Sequence, residues 1–212
     1  MTTAAWVLLG LAALFAVGDW VAVVRGDRRL EYVCKPAATL ALVGVAATLD
    51  AASADRQAWF VAALVLSLVG DVFLMLPGDR LVAGLGAFLV AQVAYTVGFT
   101  HGGTGSVDDY VVGAVLVALV AVPLVVRFVR ALRASGRNEL VPPVIVYLVA
   151  IGAMVMSATA SGNAWAIAGA WLFLASDATI AETRFVGPRP GGQLFIMVTY
   201  HLAQVGLVLS LL

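Results

Sequence analysis

The chain has 212 residues, of which 63% are hydrophobic and 11% are charged, and its mean hydropathy is +1.05. A water-soluble domain of this length needs many more polar residues on its surface, so this composition excludes that class and indicates an integral membrane protein. The formal net charge is zero, so bulk charge points to neither a nucleic-acid partner nor an acidic one. Cys34 is the only cysteine, which excludes an intrachain disulfide.

Eight apolar segments, separated by polar turns, are predicted to cross the bilayer as helices. In chain order they cover about residues 4–24, 35–49, 58–76, 81–99, 110–132, 140–160, 164–182 and 193–212. The first is too long for the core of a signal peptide and has no basic residues before it, so it is interpreted as a helix of the mature protein. Pro36 and Pro142-Pro143 are predicted at helix starts, where proline is tolerated. The predicted fold class is all-α: a polytopic bundle of eight transmembrane helices in a single integral-membrane domain, 1–212.

Arginines indicate how the segments are oriented. Alternate loops, with the segment ends beside them, hold Arg25, Arg28, Arg29, Arg80, Arg127, Arg130, Arg133, Arg137, Arg184 and Arg189, and the opposite side holds only Arg56. The positive-inside rule makes the arginine-rich loops cytoplasmic and both termini non-cytoplasmic, in the plasma membrane. The glycine-rich loop 101–109 then lies outside. The cluster 127–137 is also interpreted as contact with anionic headgroups.

Two aspartates interrupt apolar segments, Asp71 in the third and Asp177 in the seventh. A carboxylate inside a membrane costs about 2.5 to 3.5 kcal/mol on insertion scales, so it usually faces other protein groups and often marks a functional site. At about 1.5 Å rise per residue, each lies roughly 8 Å from the cytoplasmic end of its segment. The alternative is a structural polar pair that joins helices.

Two neighbouring carboxylates suit acid and base catalysis. In a low dielectric they do not both ionise easily, so one keeps a proton to donate while the other accepts. Asp71 and Asp177 are therefore the candidate catalytic residues, with the order unassigned because coupled carboxylates titrate as a pair.

Other catalytic chemistries fit the sequence less well. The chain has only two histidines, His101 and His201, which are predicted on opposite sides of the membrane. This excludes a three-histidine zinc site and leaves an Asp/Asp/His site as a weaker alternative. There is no Gly-x-Ser-x-Gly motif for a serine nucleophile. We expect neither a metal nor another cofactor.

Further polar side chains on other segments are candidate substrate-binding residues. They are Asp19, Lys35, Gln92, Tyr95, Tyr200 and His201. Lys35 is interpreted as a snorkelling anchor, as a partner for a lipid phosphate, or as a cation that holds one aspartate ionised. Asp19 and Glu182 lie near segment ends, where a solvated position is an equal alternative. The others are alternatively interhelical hydrogen-bonding groups.

The two aspartates are 106 residues apart, half the chain length. At this offset Pro36 corresponds to Pro142, and Tyr95 to His201. The spacing suggests two parallel four-helix halves, as some membrane folds have.

Five stretches carry a family resemblance. They are Cys34-Lys35-Pro36, Gly70-Asp71-Val72-Phe73-Leu74-Met75, Phe88-Leu89-Val90-Ala91-Gln92-Val93-Ala94-Tyr95, Ala175-Ser176-Asp177-Ala178-Thr179-Ile180-Ala181 followed by Arg184-Phe185, and Tyr200-His201-Leu202-Ala203-Gln204. In this order they resemble the YhhN family, which includes the animal transmembrane lysoplasmalogenases. The chain departs from many members at Gln92, where they carry histidine.

The resemblance implies an eight-helix membrane enzyme without a known metal. Its reaction would cleave the vinyl ether bond of lysoplasmalogens (1-alkenyl-lysophospholipids), releasing a fatty aldehyde and a glycerophospho-headgroup. A protonated aspartate would deliver a proton to the β-carbon, and an ionised partner would stabilise the resulting cation and activate water. Lys35 would meet the phosphate. The expected partners are this lysophospholipid and membrane lipids, with no nucleic acid and no prediction of oligomeric state. Alternatives are a small-solute or lipid transporter and a non-catalytic lipid-binding protein.

Overall fold

A computed structural model describes residues 1–78, 80–101 and 105–212. Asp79 and residues 102–104, which belong to two predicted loops, lie outside the described residues. Within the described ranges the chain forms eight long helices and no strand, and all eight are long and apolar enough to cross a membrane. The prediction of an all-α protein with eight membrane helices is confirmed.

The helices follow one another through short connections. They are α1 (Thr3–Arg25), α2 (Arg28–Thr48), α3 (Ala54–Met75), α4 (Leu81–Thr100), α5 (Val107–Ala134), α6 (Val141–Ala160), α7 (Ala164–Ala181) and α8 (Gly192–Leu209). A 3-10 turn, Asn138–Leu140, precedes α6, and a π-helical turn, Glu182–Val186, follows α7. Ser106 and Asp109 form a capping box that fixes the start of α5.

The start of α2 differs from the prediction. The helix begins at Arg28, and Pro36 lies inside it rather than at its start. The side chain of Asp27 accepts hydrogen bonds from the first backbone N–H groups, and the arginine and glutamate side chains that follow are good helix formers. The charged segment after Asp27 is therefore helical. Pro142 and Pro143 do lie in the first turn of α6, as predicted.

Consecutive helices pair as antiparallel hairpins: α1 with α2, α3 with α4, α5 with α6, and α7 with α8. The first four helices meet the last four where α4 packs on α6, where α2 packs on α8, and where α1 packs on α8. The fourth helix of each half thus contacts the second helix of the other, but in the described part of the chain the α1–α8 contact has no equally extensive counterpart between α5 and α4. Among the described helices α8 is the most buried and α5 the least, so α8 forms the centre and α5 the lipid-facing edge.

Glycines allow α7 and α8 to approach closely. A Cβ atom added at Gly169 would lie 2.7 Å from the backbone nitrogen of Leu207, and one at Gly206 would lie 3.0 Å from the Cα atom of Gly169. Small residues at such contacts let membrane helices pack backbone to backbone. This packing holds the first half of α7 against the last turns of α8, and the edge-to-face rings of Phe173 and Tyr200 continue the contact toward the aspartates.

Candidate active site

Asp71 lies one turn before α3 ends at Met75, the end that the arginine pattern predicts to be cytoplasmic. Only 1% of its surface is exposed. Its Oδ2 atom accepts hydrogen bonds from the hydroxyl groups of Thr39, at 2.9 Å, and Tyr200, at 2.7 Å. Its Oδ1 atom lies 3.3 Å from Nζ of Lys35. One cation and two hydroxyl donors are the kind of partners that a buried carboxylate needs, so α2 and α8 together hold this side chain on α3.

Asp177 on α7 has different partners. Its Oδ2 atom accepts hydrogen bonds from the amide of Gln92, at 3.1 Å, and from the hydroxyl of Tyr147, at 2.5 Å. No basic side chain among the described residues forms an ion pair with it, and it is only partly buried. One aspartate is therefore paired with an ammonium group and the other with neutral donors. Two carboxyls in unlike surroundings are suited to unlike roles.

Both aspartates line one cavity of about 110 Å³, which we name the aspartate cavity. Its polar lining consists of Glu31, Lys35, Asp71, Ser176, Asp177, Thr183, Arg184, Gln193 and Tyr200. The cavity has room for more than one water molecule. Both aspartates, Glu31, the Lys35 side chain and space for water therefore meet in one place.

A second, almost wholly apolar space of about 30 Å³ adjoins Asp177. This apolar slot is lined mainly by Leu85, Phe128, Val144, Leu148 and Phe185, which belong to four helical elements of the bundle, and also by Tyr147. Asp177 lines both spaces. The carboxyl thus stands where a polar cavity meets a hydrocarbon-like one, as an amphiphilic substrate with its reacting bond next to its chain would require.

Residues 30–211 match the sequence model of the YhhN family. This chain belongs to the YhhN family. The matched range includes α3 and α7 with both aspartates, and it leaves out α1 with Asp19. The resemblance carried by the five motif stretches is confirmed.

Two relatives of this chain carry the name lysoplasmalogenase. A protein of Mycobacterium tuberculosis named lysoplasmalogenase is 30% identical over 216 residues, covering 94% of this YhhN protein and 80% of the relative. Lysoplasmalogenase TMEM86B of Homo sapiens is 33% identical over 152 residues, covering 71% of this chain and 62% of its own length. No solved structure matches the chain significantly.

The YhhN protein brings three of the predicted substrate-binding residues to the aspartates. Tyr200 contacts Asp71 and Gln92 contacts Asp177. Lys35 is buried and paired with Asp71, so the interpretation of Lys35 as a snorkelling anchor is wrong. Its ammonium group extends into the protein because a buried carboxylate lies within reach on the next helix.

Three other predicted binding residues do not line either cavity. The hydroxyl of Tyr95 donates to Oε1 of Gln204 at 2.6 Å, and the Gln204 amide donates to the Tyr200 hydroxyl at 3.3 Å, so Tyr95 supports Tyr200 from behind. His201 accepts a hydrogen bond at Nδ1 from the indole of Trp20. His201 lines neither cavity, and no three His, Cys, Asp or Glu side chains among the described residues are grouped so that they could hold a metal, so the alternative Asp/Asp/His site is not assembled there.

Asp19 is fully buried in α1, and its carboxyl oxygens have no hydrogen-bond partner among the described residues. The alternative of a solvated Asp19 is wrong. A solvated position was also the alternative for Glu182. This residue forms an ion pair with Arg127, which joins the π-helical turn to α5. Asp19 lies near the end of α1, as predicted, but it lines neither cavity.

Two site residues, Thr39 and Tyr147, were missed from the sequence. Thr39 follows Lys35 by four residues, so both lie on one face of α2, and this spacing is a signal that the sequence contains. Tyr147 is an isolated tyrosine on an apolar helix, and only the packing of α6 against α7 shows that it reaches Asp177.

Proposed function

We propose that this YhhN protein hydrolyses the vinyl ether bond of lysoplasmalogens, releasing a fatty aldehyde and a glycerophospho-headgroup. The observation that carries the proposal is the pair of carboxyls in one intramembrane cavity, one paired with Lys35 and the other beside an apolar slot. The lysoplasmalogenase names of its relatives support the same reaction.

Asp177 is the proposed proton donor. Cleaving an enol ether begins with a proton added to the β-carbon, which leaves an oxocarbenium-like cation at the carbon bonded to oxygen. The hydrogen bonds from Gln92 and Tyr147 both reach Oδ2, so Oδ1 is the oxygen from which we expect the proton to leave. The adjoining apolar slot would take the start of the alkenyl chain, with its double bond next to this oxygen.

Asp71 is the proposed anionic partner. Its carboxylate, held by Lys35 and two hydroxyls, would stabilise the cation and take a proton from the water that attacks it. Collapse of the hemiacetal then moves that proton to the leaving glycerol oxygen and the hydroxyl proton to Asp177. Both carboxyls return to their starting state, and the net reactant is one water molecule.

The arginine-rich helix ends give the orientation that we propose. Ten arginines lie at the end of the bundle where α3 and α7 finish, so this end faces the cytoplasm and both termini face the other side of the plasma membrane. Because the aspartate cavity lies near the same end, the substrate would enter from the cytoplasmic leaflet.

Mass spectrometry of purified protein with 1-alkenyl-lysophosphoethanolamine and its 1-acyl analogue tests the proposal. We expect aldehyde from the alkenyl lipid alone, and its loss in Asp177→Asn, which keeps the shape but not the acidic proton. Asp108→Asn, at an exposed aspartate in the first turn of α5, is the matched control and should keep activity. Cleavage of the acyl lipid would instead indicate a lysophospholipase, and cleavage of neither would favour transport or lipid binding.

A further inference from the structure

Lys35 is not available for the substrate phosphate. Its Nζ atom is 3.3 Å from the Asp71 carboxylate, and the side chain is 5% exposed. A phosphate at this position would have to displace a buried ion pair, which leaves a carboxylate uncompensated. A lysophospholipid bound at the aspartates therefore needs another cationic site for its headgroup.

Such a site lies at the mouth of the aspartate cavity. A wide depression of about 640 Å³ is lined by Arg28, Tyr32, Leu74, Pro77 and Arg184, with the backbone around them. Leu74 and Arg184 also line the aspartate cavity, so the two spaces adjoin each other. We name this depression the arginine bowl.

The two arginines of the bowl come from different elements and are exposed. Arg28 is the first residue of α2, and its guanidinium donates to the Tyr32 hydroxyl at 3.4 Å and lies over the Tyr32 ring at 5.7 Å. Arg184 belongs to the π-helical turn after α7, and its carbonyl accepts a hydrogen bond from Arg137. Both arginines thus line the bowl, and within the described residues neither side chain forms an ion pair.

We propose that the arginine bowl binds the phosphodiester of the lysophospholipid headgroup through Arg28 and Arg184. Guanidinium groups match phosphate oxygens in geometry and charge, and they are more weakly hydrated than an ammonium group. Arg184 follows Asp177 by seven residues, about 10 Å along a helix axis. A glycerol backbone and an arginine side chain together bridge that distance. This inference rests on the proposed lysoplasmalogenase reaction.

Steady-state kinetics in non-ionic detergent micelles test the bowl. The substrates are 1-alkenyl-lysophosphoethanolamine and 1-alkenylglycerol, which has the same chain and no phosphate. In Arg28→Gln and Arg184→Gln we expect KM for the phospholipid to rise about tenfold, and more in the double variant, because a charge-assisted hydrogen bond is lost. The kcat value and the KM for 1-alkenylglycerol should stay within about twofold of the wild type, since neither arginine contacts the reacting bond.

Arg29→Gln is the matched control, because Arg29 is the exposed neighbour of Arg28 and does not line the bowl. An unchanged KM in the double variant, in a preparation whose wild type is active, would overturn the inference. An equal rise of KM in Arg29→Gln would show a general surface-charge effect. An effect confined to anionic liposomes would mean that the bowl binds bilayer lipids. Either result would overturn the proposal that the bowl binds the substrate phosphate. A wild type that cleaves neither substrate refutes the underlying reaction instead.

Discussion

At the scale of single residues, the Lys35–Asp71 ion pair has the largest consequence for stability. Lys35→Met would leave a buried carboxylate without its cation, and we expect the free energy of unfolding to fall by about 3 to 5 kcal/mol. Adding Asp71→Asn removes the charge that was left alone, so the double variant should recover much of that loss while remaining inactive. Thermal unfolding in detergent measures the first effect and aldehyde release the second.

A double variant as unstable as Lys35→Met alone would contradict this account, because the cost would then come from lost packing of the lysine chain. Asp71→Asn alone is the third member of the cycle. The asparagine has nearly the same shape and can still accept hydrogen bonds from Thr39 and Tyr200. The cycle therefore distinguishes the energy of the ion pair from that of the hydroxyl hydrogen bonds.

Tyr147 provides a residue-scale test of Asp177. Tyr147→Phe removes a hydroxyl 2.5 Å from Oδ2 of Asp177 while leaving the ring that lines the apolar slot. We expect kcat to fall about five- to tenfold, because the carboxyl loses one donor that fixes its orientation. Tyr95→Phe, whose hydroxyl lies behind the site, should change kcat less. Equal kcat values for the two variants would argue against a positioning role for Tyr147.

The sequence predicted which polar residues belong to the site more reliably than it predicted the neighbours that they face. Both aspartates, Gln92 and Tyr200 were recognisable because each interrupts an apolar segment, where a polar group needs a partner. Lys35 was recognisable as a charged residue at the start of one. His201 interrupts an apolar segment too, yet it faces Trp20 instead of the cavity. The position of a residue along a helix follows from counting, whereas the neighbour that it faces depends on how the helices pack.

At the scale of helices, the apolar slot is expected to select the substrate chain. Leu148→Phe on α6 should fill much of a space of about 30 Å³. We expect kcat/KM for long-chain 1-alkenyl lipids to fall about tenfold, and that for short-chain analogues to change little, because overpacking costs about 1 to 3 kcal/mol. A series of alkenyl chain lengths measures the effect.

Val146→Phe is the matched control on the same helix, since this side chain is 55% exposed toward the lipid-facing surface. An unchanged chain-length profile in Leu148→Phe would show that the chain binds elsewhere.

The α7–α8 contact provides a second helix-scale prediction. Gly169→Ala would place a methyl group 2.7 Å from the backbone nitrogen of Leu207 and 2.8 Å from the carbonyl of Ala203, and backbone atoms do not move aside easily. We expect a loss of about 1 to 3 kcal/mol in the free energy of unfolding, with reduced activity because α8 carries Tyr200. Gly10→Ala, with nothing within 4 Å, should be neutral. Melting temperatures in detergent compare the two, and equal values would contradict a close contact.

The sequence predicted the number and approximate positions of the helices well, but it placed the start of α2 too late. Length and hydropathy determine where an apolar segment crosses a membrane, and these properties can be read directly. The start of α2 depended instead on Asp27, whose side chain extends the helix outward by several residues before Pro36. That extension places Arg28 at the mouth of the site.

At the scale of the whole molecule, the two halves hold their aspartates in corresponding ways. Asp71 on α3 accepts from α2 of its own half and from α8 of the other half, and Asp177 on α7 accepts from α6 of its own half and from α4 of the other. The sequence offset suggested such a repeat but not these pairings. The donor residues around Asp71 differ in type from those around Asp177. The correspondence between the halves is therefore visible only in which helices supply the donors. The repeat remains a prediction.

Topology is the whole-molecule prediction that is most directly tested. Alkaline phosphatase fused after Leu212 should be active and a green fluorescent protein fused there should be dark, because the positive-inside rule places the C-terminus outside the cytoplasm. Fusions within the loop between α5 and α6, at Gly136, should give the opposite pair of signals. Fluorescence at Leu212 together with phosphatase activity at Gly136 would reverse the orientation and move the aspartate cavity to the outer leaflet.

The meeting of a polar cavity and an apolar slot at Asp177 also bears on what happens after the bond breaks. In the proposed reaction, the glycerophospho-headgroup would leave past the arginines of the open bowl, whereas the fatty aldehyde would be left in a hydrocarbon-lined space beside the lipid-facing α5. Hydrolysis would then partition its two products between phases, sending one to the aqueous compartment and retaining the other in the bilayer. Any enzyme that oxidises or reduces this aldehyde would have to collect it from the membrane.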